Sequence, residues 1–395
     1  MPSENDNRVE TISTDATEWR RHLHANPELS FQEFKTSDFV AEKLASWGIE
    51  VTRGIAGTGL VGTLRGKGRG NAPRAIGLRA DMDALPMTEA TGLGYASQTP
   101  GVMHACGHDG HTTMLLGAAR YLAETRDFDG TVHFIFQPAE EAGGGGRVMV
   151  EEGLFTRFPC DAVFGIHNDS AMPLGKFTVT RGITNAAADT VTMRIQGLGG
   201  HAARPHAAID PVLVASHVVV ALQSVVARRV DPLDSAVLSL CSIHGGTACN
   251  VIPDEVVIQG TIRTLKPATR DAMQRLLTQV ATATAEAHGA SIVIDYERGY
   301  PSVVNSDAPV ERARLAAVAL SGEDQLIRER NPTMGGEDFS YMANTVPGCF
   351  IRLGQVDDDK KFPVHHVKYD FNDRLLPTGI AFWASLVEQE LAPQD

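Results

Sequence analysis

Two stretches limit the fold more than any others in the chain: Thr131 to Gln137 and Ala162 to Ile166, whose apolar runs VHFIF and AVFGI lack polar alternation. A strand with one wet face alternates polar and apolar residues, whereas one without alternation is covered on both faces, as in a largely parallel sheet. Similar runs at Gly59 to Leu64 and Ala75 to Leu78 are bounded by Gly, Pro or charge, and a helical pattern fills His111 to Glu124. Strands alternating with helices predict an α/β sheet. Upstream, after a polar tail, the sequence predicts a helix over Asp15 to Ala25, broken at Asn26-Pro27, and a second over Glu33 to Trp47, stopped at Gly48.

From Ala188 the rhythm changes to strand Thr190 to Gln196, helix Pro211 to Ala227, strand Ala236 to Ile243, strand Val256 to Thr264, helix Ala268 to Ala287 and strand Ser291 to Tyr296. That β-α-β-β-α-β order predicts a ferredoxin-like split unit, one sheet with two helices on one face. A second domain is therefore expected over 186–298, interrupting a first domain made of 1–185 and 299–395. In the latter, helix Ala308 to Leu320, strand Cys349 to Leu353 and helix Ala381 to Leu391 resume the first rhythm. A length of 395 residues suits two such bodies.

Composition narrows the partners. With 35 Lys+Arg against 48 Asp+Glu the net charge is −13, and no basic stripe is available to neutralise a phosphate backbone, so nucleic acid is not expected. The apolar stretch Val212 to Ala227 contains Ser216, His217, Gln223 and Ser224, short of the ~20 apolar residues of a spanning helix, so no membrane is expected either. Five scattered cysteines without paired spacing predict a reducing compartment. The amino terminus, MPSENDNRVETISTDATEW, has no apolar leader core, and the two features together predict a cytoplasmic protein.

The chemistry is densest at His104-Ala105-Cys106-Gly107-His108-Asp109-Gly110-His111, a thiol, three imidazoles and a carboxylate in eight residues before a helix. Singly, each is more often structural; together they point to a divalent metal such as zinc. The strand ends strengthen that reading, because ligands of open α/β sheets gather at the carboxyl ends of strands. Asp81 and Asp83 follow one strand, Glu140 and Glu141 another, His167 and Asp169 a third, and His365-His366 the late one. On an extended backbone Glu140 and Glu141 point in opposite directions, one toward metal and one toward an attacking water, a division that suits hydrolysis. The run GGGG at 143–146 is expected to let backbone approach something closely. In the second domain Gly199 to His206 and Gly245 to Pro253 set polar residues among glycines and suggest either a ligand-facing rim or turn chemistry alone.

These residues resemble the metal-dependent aminoacylase and carboxypeptidase family, in its N-acyl-amino-acid amidohydrolase branch of hippurate hydrolases and indoleacetyl-amino-acid hydrolases. The matching segments are RRHLHANPELSFQE at 20–33, RADMDALP at 79–86, MHACGHDGHTTMLLGAA at 103–119, FQPAEEAGGGG at 136–146, GGHAARPH at 199–206, GGTACNVIP at 245–253, GTIRT at 260–264, MGGEDFS at 334–340 and YDFND at 369–373. The resemblance implies a di-metal catalytic domain and a smaller domain that serves as dimerisation body and lid. It implies two divalent ions, Mn2+ or Zn2+ first and Co2+ or Ni2+ as alternatives, held by Cys106, His108, Glu141, His167 and His365. It makes Glu140 the general base, Asp83 a support behind a ligand, and His201 an oxyanion donor reaching the partner subunit of a homodimer, with higher oligomers left open. Asn250 and Arg263 fall where the family contacts substrate, Arg263 suited to grip an α-carboxylate. The family's closing signature has Pro two residues after its ligand His; here Val367 stands there, and His366 remains the alternative to His365. The expected reaction is metal-assisted hydrolysis of an N-acyl amino acid. Three alternatives stay open: a dipeptidase or carboxypeptidase acting by the same mechanism, a cysteine hydrolase with Cys106 as nucleophile, and a non-catalytic metal-binding homologue.

Overall fold

The computed structural model describes residues 4–68 and 74–392. They form two compact units: a large one that runs to Thr184 and resumes over Val303–Asn331 and from Asp338, and a small one of Asn185–Ser302 and Pro332–Glu337. The return crossing lies four residues later than 298 because the chain stays tied to the small unit. Gly299 N donates to Asp189 Oδ1, Ala188 N to Tyr300 O, and Ser302 Oγ to Leu265 O. Residues 332–337 join it through Ala186 N donating to Thr333 O.

In the large unit the elements that matter are α1 (Glu4–Ala25), α2 (Phe34–Ser46), β1 (Glu50–Ile55), β2 (Gly59–Arg65), β3 (Ala75–Asp81), α3 (His108–Thr125), β4 (Thr131–Gln137), α4 (Gly145–Glu151) and β5 (Ala162–Pro173). The sheet has eight strands in the order β1-β2-β4-β3-β5, then Gly348–Val356, Phe177–Thr178 and Leu326–Ile327. Strands β4, β3, β5 and Gly348–Val356 are mutually parallel, while β1 and β2 add an antiparallel edge. The unalternating runs are buried on both faces, as their composition requires: Phe134 and Phe136 belong to one apolar cluster, Ile135 between them to another.

Several elements exceed the sequence expectation. The first helix begins at Glu4, eleven residues before Asp15, because Val9 and Ile12 extend the apolar stripe of Ala16, Trp19 and Leu23; residues 1–3 of the expected tail lie outside the described residues. Strand β1 was not expected, since EVTRGI is mostly polar and lies at the sheet edge. Strand β3 continues to Asp81 because Arg79 and Asp81 satisfy each other in the interior. The last helix starts at Leu376 rather than Ala381, with Pro377 in its first turn.

The small unit pairs Ala236–His244, Glu255–Thr264, Ala187–Gln196 and Ser291–Arg298 in that spatial order, all antiparallel. Helices Pro211–Arg229 and Pro267–Ala287 close its core. By length and composition alone Pro211–Arg229 is apolar enough to cross a membrane. Its Val214, Val218, Leu222 and Val225 nevertheless form a buried stripe on the unit's own sheet, and Asp210 caps its first turn by accepting from Val212 N at 2.9 Å.

Candidate metal centre

Parallel pairing brings the carboxyl ends of β3, β4 and β5 to one edge of the large sheet, and Cys106, His108, Glu140, Glu141 and His167 meet there. Gly107, at φ 105°, turns the chain into α3, so the helix starts at His108, three residues before the expected His111. Within β5, which continues to Pro173 instead of stopping at Ile166, His167 projects from the strand itself.

Cys106 Sγ lies 3.4 Å from His167 Nε2. His108 Nε2 stands 3.8 Å from Glu141 Oε1 and 3.7 Å from Asp81 Oδ2. On the far side of its ring, His108 Nδ1 lies 2.9 Å from Asp83 O and 3.2 Å from Asp83 Oδ1, which fixes the ring and leaves Nε2 aimed into the cluster. His167 is held the same way, its Nδ1 2.7 Å from Asn168 O. The Asp83 carboxylate also accepts the backbone N–H groups of Glu140 and Glu141, each at 3.0 Å, and the Ser30 hydroxyl at 2.7 Å. Burial alone would raise Asp83, but the hydrogen bond and charge of His108 hold its carboxyl below the usual range.

The adjacent glutamates do not diverge along an extended strand as expected. They sit in a turn, and an oxygen of each comes within 4.8 Å of the other and of His108 nitrogen. Ala139 causes the difference: its φ of 54° reverses the chain just before Glu140. The glycines that follow do allow close approach, since a Cβ on Gly145 would stand 1.8 Å from Pro138 O.

Of the two late histidines, His365 joins the cluster and His366 does not. His365, at φ 64°, donates its backbone N–H to Ala105 O at 2.7 Å and sets Nε2 3.3 Å from Glu141 Oε1. The His366 ring instead stacks on Phe362 with centroids 4.7 Å apart. Apart from that approach of His365, Glu141 Oε1 is buried without a hydrogen-bond partner, as is His108 Nε2. Two orphaned ligand atoms separated by 3.8 Å, too far for a hydrogen bond, fit a shared divalent cation, and sulfur, imidazole and carboxylate are the donors such ions take. Burial, then the Glu141 carboxylate, push the Cys106 thiol well above its ordinary range, so these surroundings do not activate it as a nucleophile; a cation reverses that balance.

Groups that sequence reasoning did not place complete the surroundings. His111 Nδ1 lies 2.6 Å from Asp81 Oδ1 and its Nε2 2.7 Å from Asn168 Oδ1. Arg79 links Asp81, Gln137 and Asp338 at 2.7, 2.8 and 3.1 Å. Farther from the cluster, His24 Nδ1 lies 2.8 Å from Asp109 Oδ2, beside Arg20. The only signal for these was membership of a dense motif; the partners lie up to 259 residues apart in sequence.

In the small unit His201 and Asn250 come together and Arg263 does not. Gly200–His201 pairs with Val251–Ile252, and Ala202 N donates to Asn250 O at 3.1 Å, forming an exposed rim. Arg263 pairs with Ala188 at the opposite end of the sheet, its Nη1 donating to Ile262 O at 3.1 Å.

Comparison with known proteins gives a concordant picture. The family model described as Peptidase family M20/M25/M40 matches residues 77–389. The hippurate hydrolase of Campylobacter jejuni is 41% identical over 370 residues, covering 93% of this chain and 94% of that protein. An IAA-amino acid hydrolase ILR1-like protein of Arabidopsis thaliana is 40% identical over 378 residues, covering 94% and 84%. The crystal structure of the Bacillus subtilis YXEP protein, described as a dinuclear metal binding peptidase, superposes with a TM-score of 0.83 at 33% identity, covering 98% and 100%.

Proposed function

The chain belongs to peptidase family M20/M25/M40, and from that premise we propose a metal-dependent amidohydrolase that cleaves the amide bond of N-acyl amino acids, releasing a carboxylic acid and a free amino acid. The observation that carries this reading is the orphaned pair His108 Nε2 and Glu141 Oε1, grouped with Glu140 at the sheet edge. Cys106, His108, Glu141, His167 and His365 would hold two divalent ions, Mn2+ or Zn2+ first, with the thiolate favouring zinc. When bound, such ions polarise an amide carbonyl and acidify water. Glu140 accepts the proton of the attacking water and returns it to the departing nitrogen. Asp83 keeps His108 oriented and fixes the peptides of both glutamates.

His201 steadies the oxyanion and Arg263 grips the α-carboxylate, Asn250 lining the substrate beside His201. Register supports drawing these from two subunits. Eight residues separate Glu255, opposite Gln196, from Arg263, opposite Ala188, so Arg263 lies roughly 25 Å along the sheet from the end at which the chain leaves for the rim that carries His201. Drawing His201 from the partner subunit of a homodimer accommodates that separation.

The test is hydrolysis of a panel of acylated amino acids, aromatic and aliphatic, beside dipeptides, with and without a strong chelator. Activity is expected on acylated amino acids, lost on chelation and restored by Mn2+ or Zn2+. Hydrolysis that survives chelation would refute the metal mechanism; preference for dipeptides would move the substrate class.

A further inference from the structure

The segment ahead of α2, part of the long motif at 20–33, touches the turn that carries Glu140 and Glu141 at two places and Asp83, which holds their peptides, at a third. Ser30 reaches Asp83, Glu33 Oε1 accepts from Ala139 N at 2.9 Å, and the Phe31 ring occupies the space in which a Cβ on Gly143 would stand. Ala139 is the hinge of that turn: fully buried, not a glycine, and left-handed at φ 54°. An L side chain enters that region at a cost and stays only where its surroundings impose it. Both backbone polar groups of Ala139 are pinned, the N–H by Glu33 and the carbonyl by Gly145 N at 2.9 Å.

Glu33 does not serve the helix it precedes. It stands at the N-terminal end of α2, yet its side chain caps none of that helix's N–H groups. It is fully buried, and no ion pair to it occurs among the described residues. Its oxygens take Phe31 N at 3.0 Å, Ala139 N and the Thr58 hydroxyl. A carboxylate buried without a cation is expensive, so its retention calls for a reason other than packing.

We propose that Glu33 is a positioning residue that holds the Ala139 peptide in its left-handed turn, and thereby keeps the Glu140 and Glu141 carboxylates on one centre. This rests on the roles given above to Glu140 and Glu141. The contact needs a hydrogen-bond acceptor where Oε1 lies, not a negative charge, so a glutamine serves and an alanine does not.

The experiment compares Glu33→Ala, Glu33→Gln and Glu33→Ala/Ala139→Gly in the full chain by kcat, KM and the metal retained per subunit after desalting. Glu33→Ala is expected to lose at least tenfold in kcat with KM within twofold, and to retain less metal; Glu33→Gln is expected to stay within about threefold of the parent in both. Adding Ala139→Gly, which makes the left-handed turn accessible without the clamp, is expected to recover kcat and metal together. The proposal is overturned if Glu33→Gln is as impaired as Glu33→Ala, if Glu33→Ala matches the parent, or if the glycine restores nothing. Should Glu33→Ala not fold, Glu33→Gln and the double variant still decide. Metal content is read without substrate, so a wrong substrate class and a wrong role for Glu33 give different results.

Discussion

The strand-end cluster of the large unit and the glycine-rich rim of the small one are both built on histidine, but they are held in opposite ways. His108 and His167 are buried, and each is fixed through its Nδ1 by a carboxylate or carbonyl that dictates where the other nitrogen points. His201 is exposed, and its Nδ1 accepts the N–H of Ala203, two residues along, at 3.1 Å. The first arrangement is preorganised by its own chain; the second gains its environment from whatever it meets. A centre of the first kind is preorganised for binding, whereas a group of the second kind depends, in the dimer proposed above, on assembly.

The hardest test of that contrast makes both kinds of site fail. Glu140→Gln and His201→Ala are each expected to lose about two decades of kcat or more while Glu140→Gln keeps its metal. Mixed dimers of the two are expected to recover activity, because one site then has an intact Glu140 and the partner subunit's intact histidine. If verified mixed dimers stay inactive, the rim acts within its own chain or has no part in the reaction. The two late histidines sharpen the comparison at smaller scale: His365→Ala is expected to weaken metal retention tenfold or more, the range for losing a ligand or its support, and His366→Ala less than twofold. Equal effects would mean that the loop exchanges the two rings.

The last expected effect concerns pH. Burial alone would lower His24, but its hydrogen bonds to Asp109 and Glu89 lift it to about 9. Its folded value thus exceeds the ordinary ~6.5, so its contribution is complete below ~6.5 and is lost as pH rises through about 9, on the order of 3 kcal/mol. Asp109 is held low by His24 against its own burial, and its contribution is lost only as pH falls below ~4. Trp19, Trp47 and Trp383 all lie in the large unit, so tryptophan fluorescence reports its unfolding alone. Its midpoint is expected to fall between pH 6.5 and 9, and His24→Gln to flatten that slope; an unchanged slope would remove the pair from the stability of the site.

Much of this was legible before any coordinates. The unalternating VHFIF and AVFGI runs demanded a doubly covered sheet, and the β-α-β-β-α-β rhythm required the small unit's strand order. The density of Cys106, His108 and His111, with acids after successive strands, marked the site. What misled was the use of charge as an end signal. Polar residues hid the first turns of α1, the whole of β1 and the last three residues of β3, where Arg79 and Asp81 are buried as partners. The turn at Glu140 was misjudged for another reason: no sequence rule assigns a left-handed backbone to Ala139, a residue that avoids it in isolation.

The sequence by itself therefore determined which elements form, their order, and which residue types are available for chemistry, since periodicity and ligand identity are local properties of the chain. Tertiary structure decided which late histidine faces Glu141, which carboxylate stands behind His108, and how Glu33 bends Ala139. Those choices depend on hydrogen bonds between groups far apart in the chain, 106 residues for the bond from Ala139 to Glu33 and more for that from His365 to Ala105, and only folding brings such groups within 3 Å.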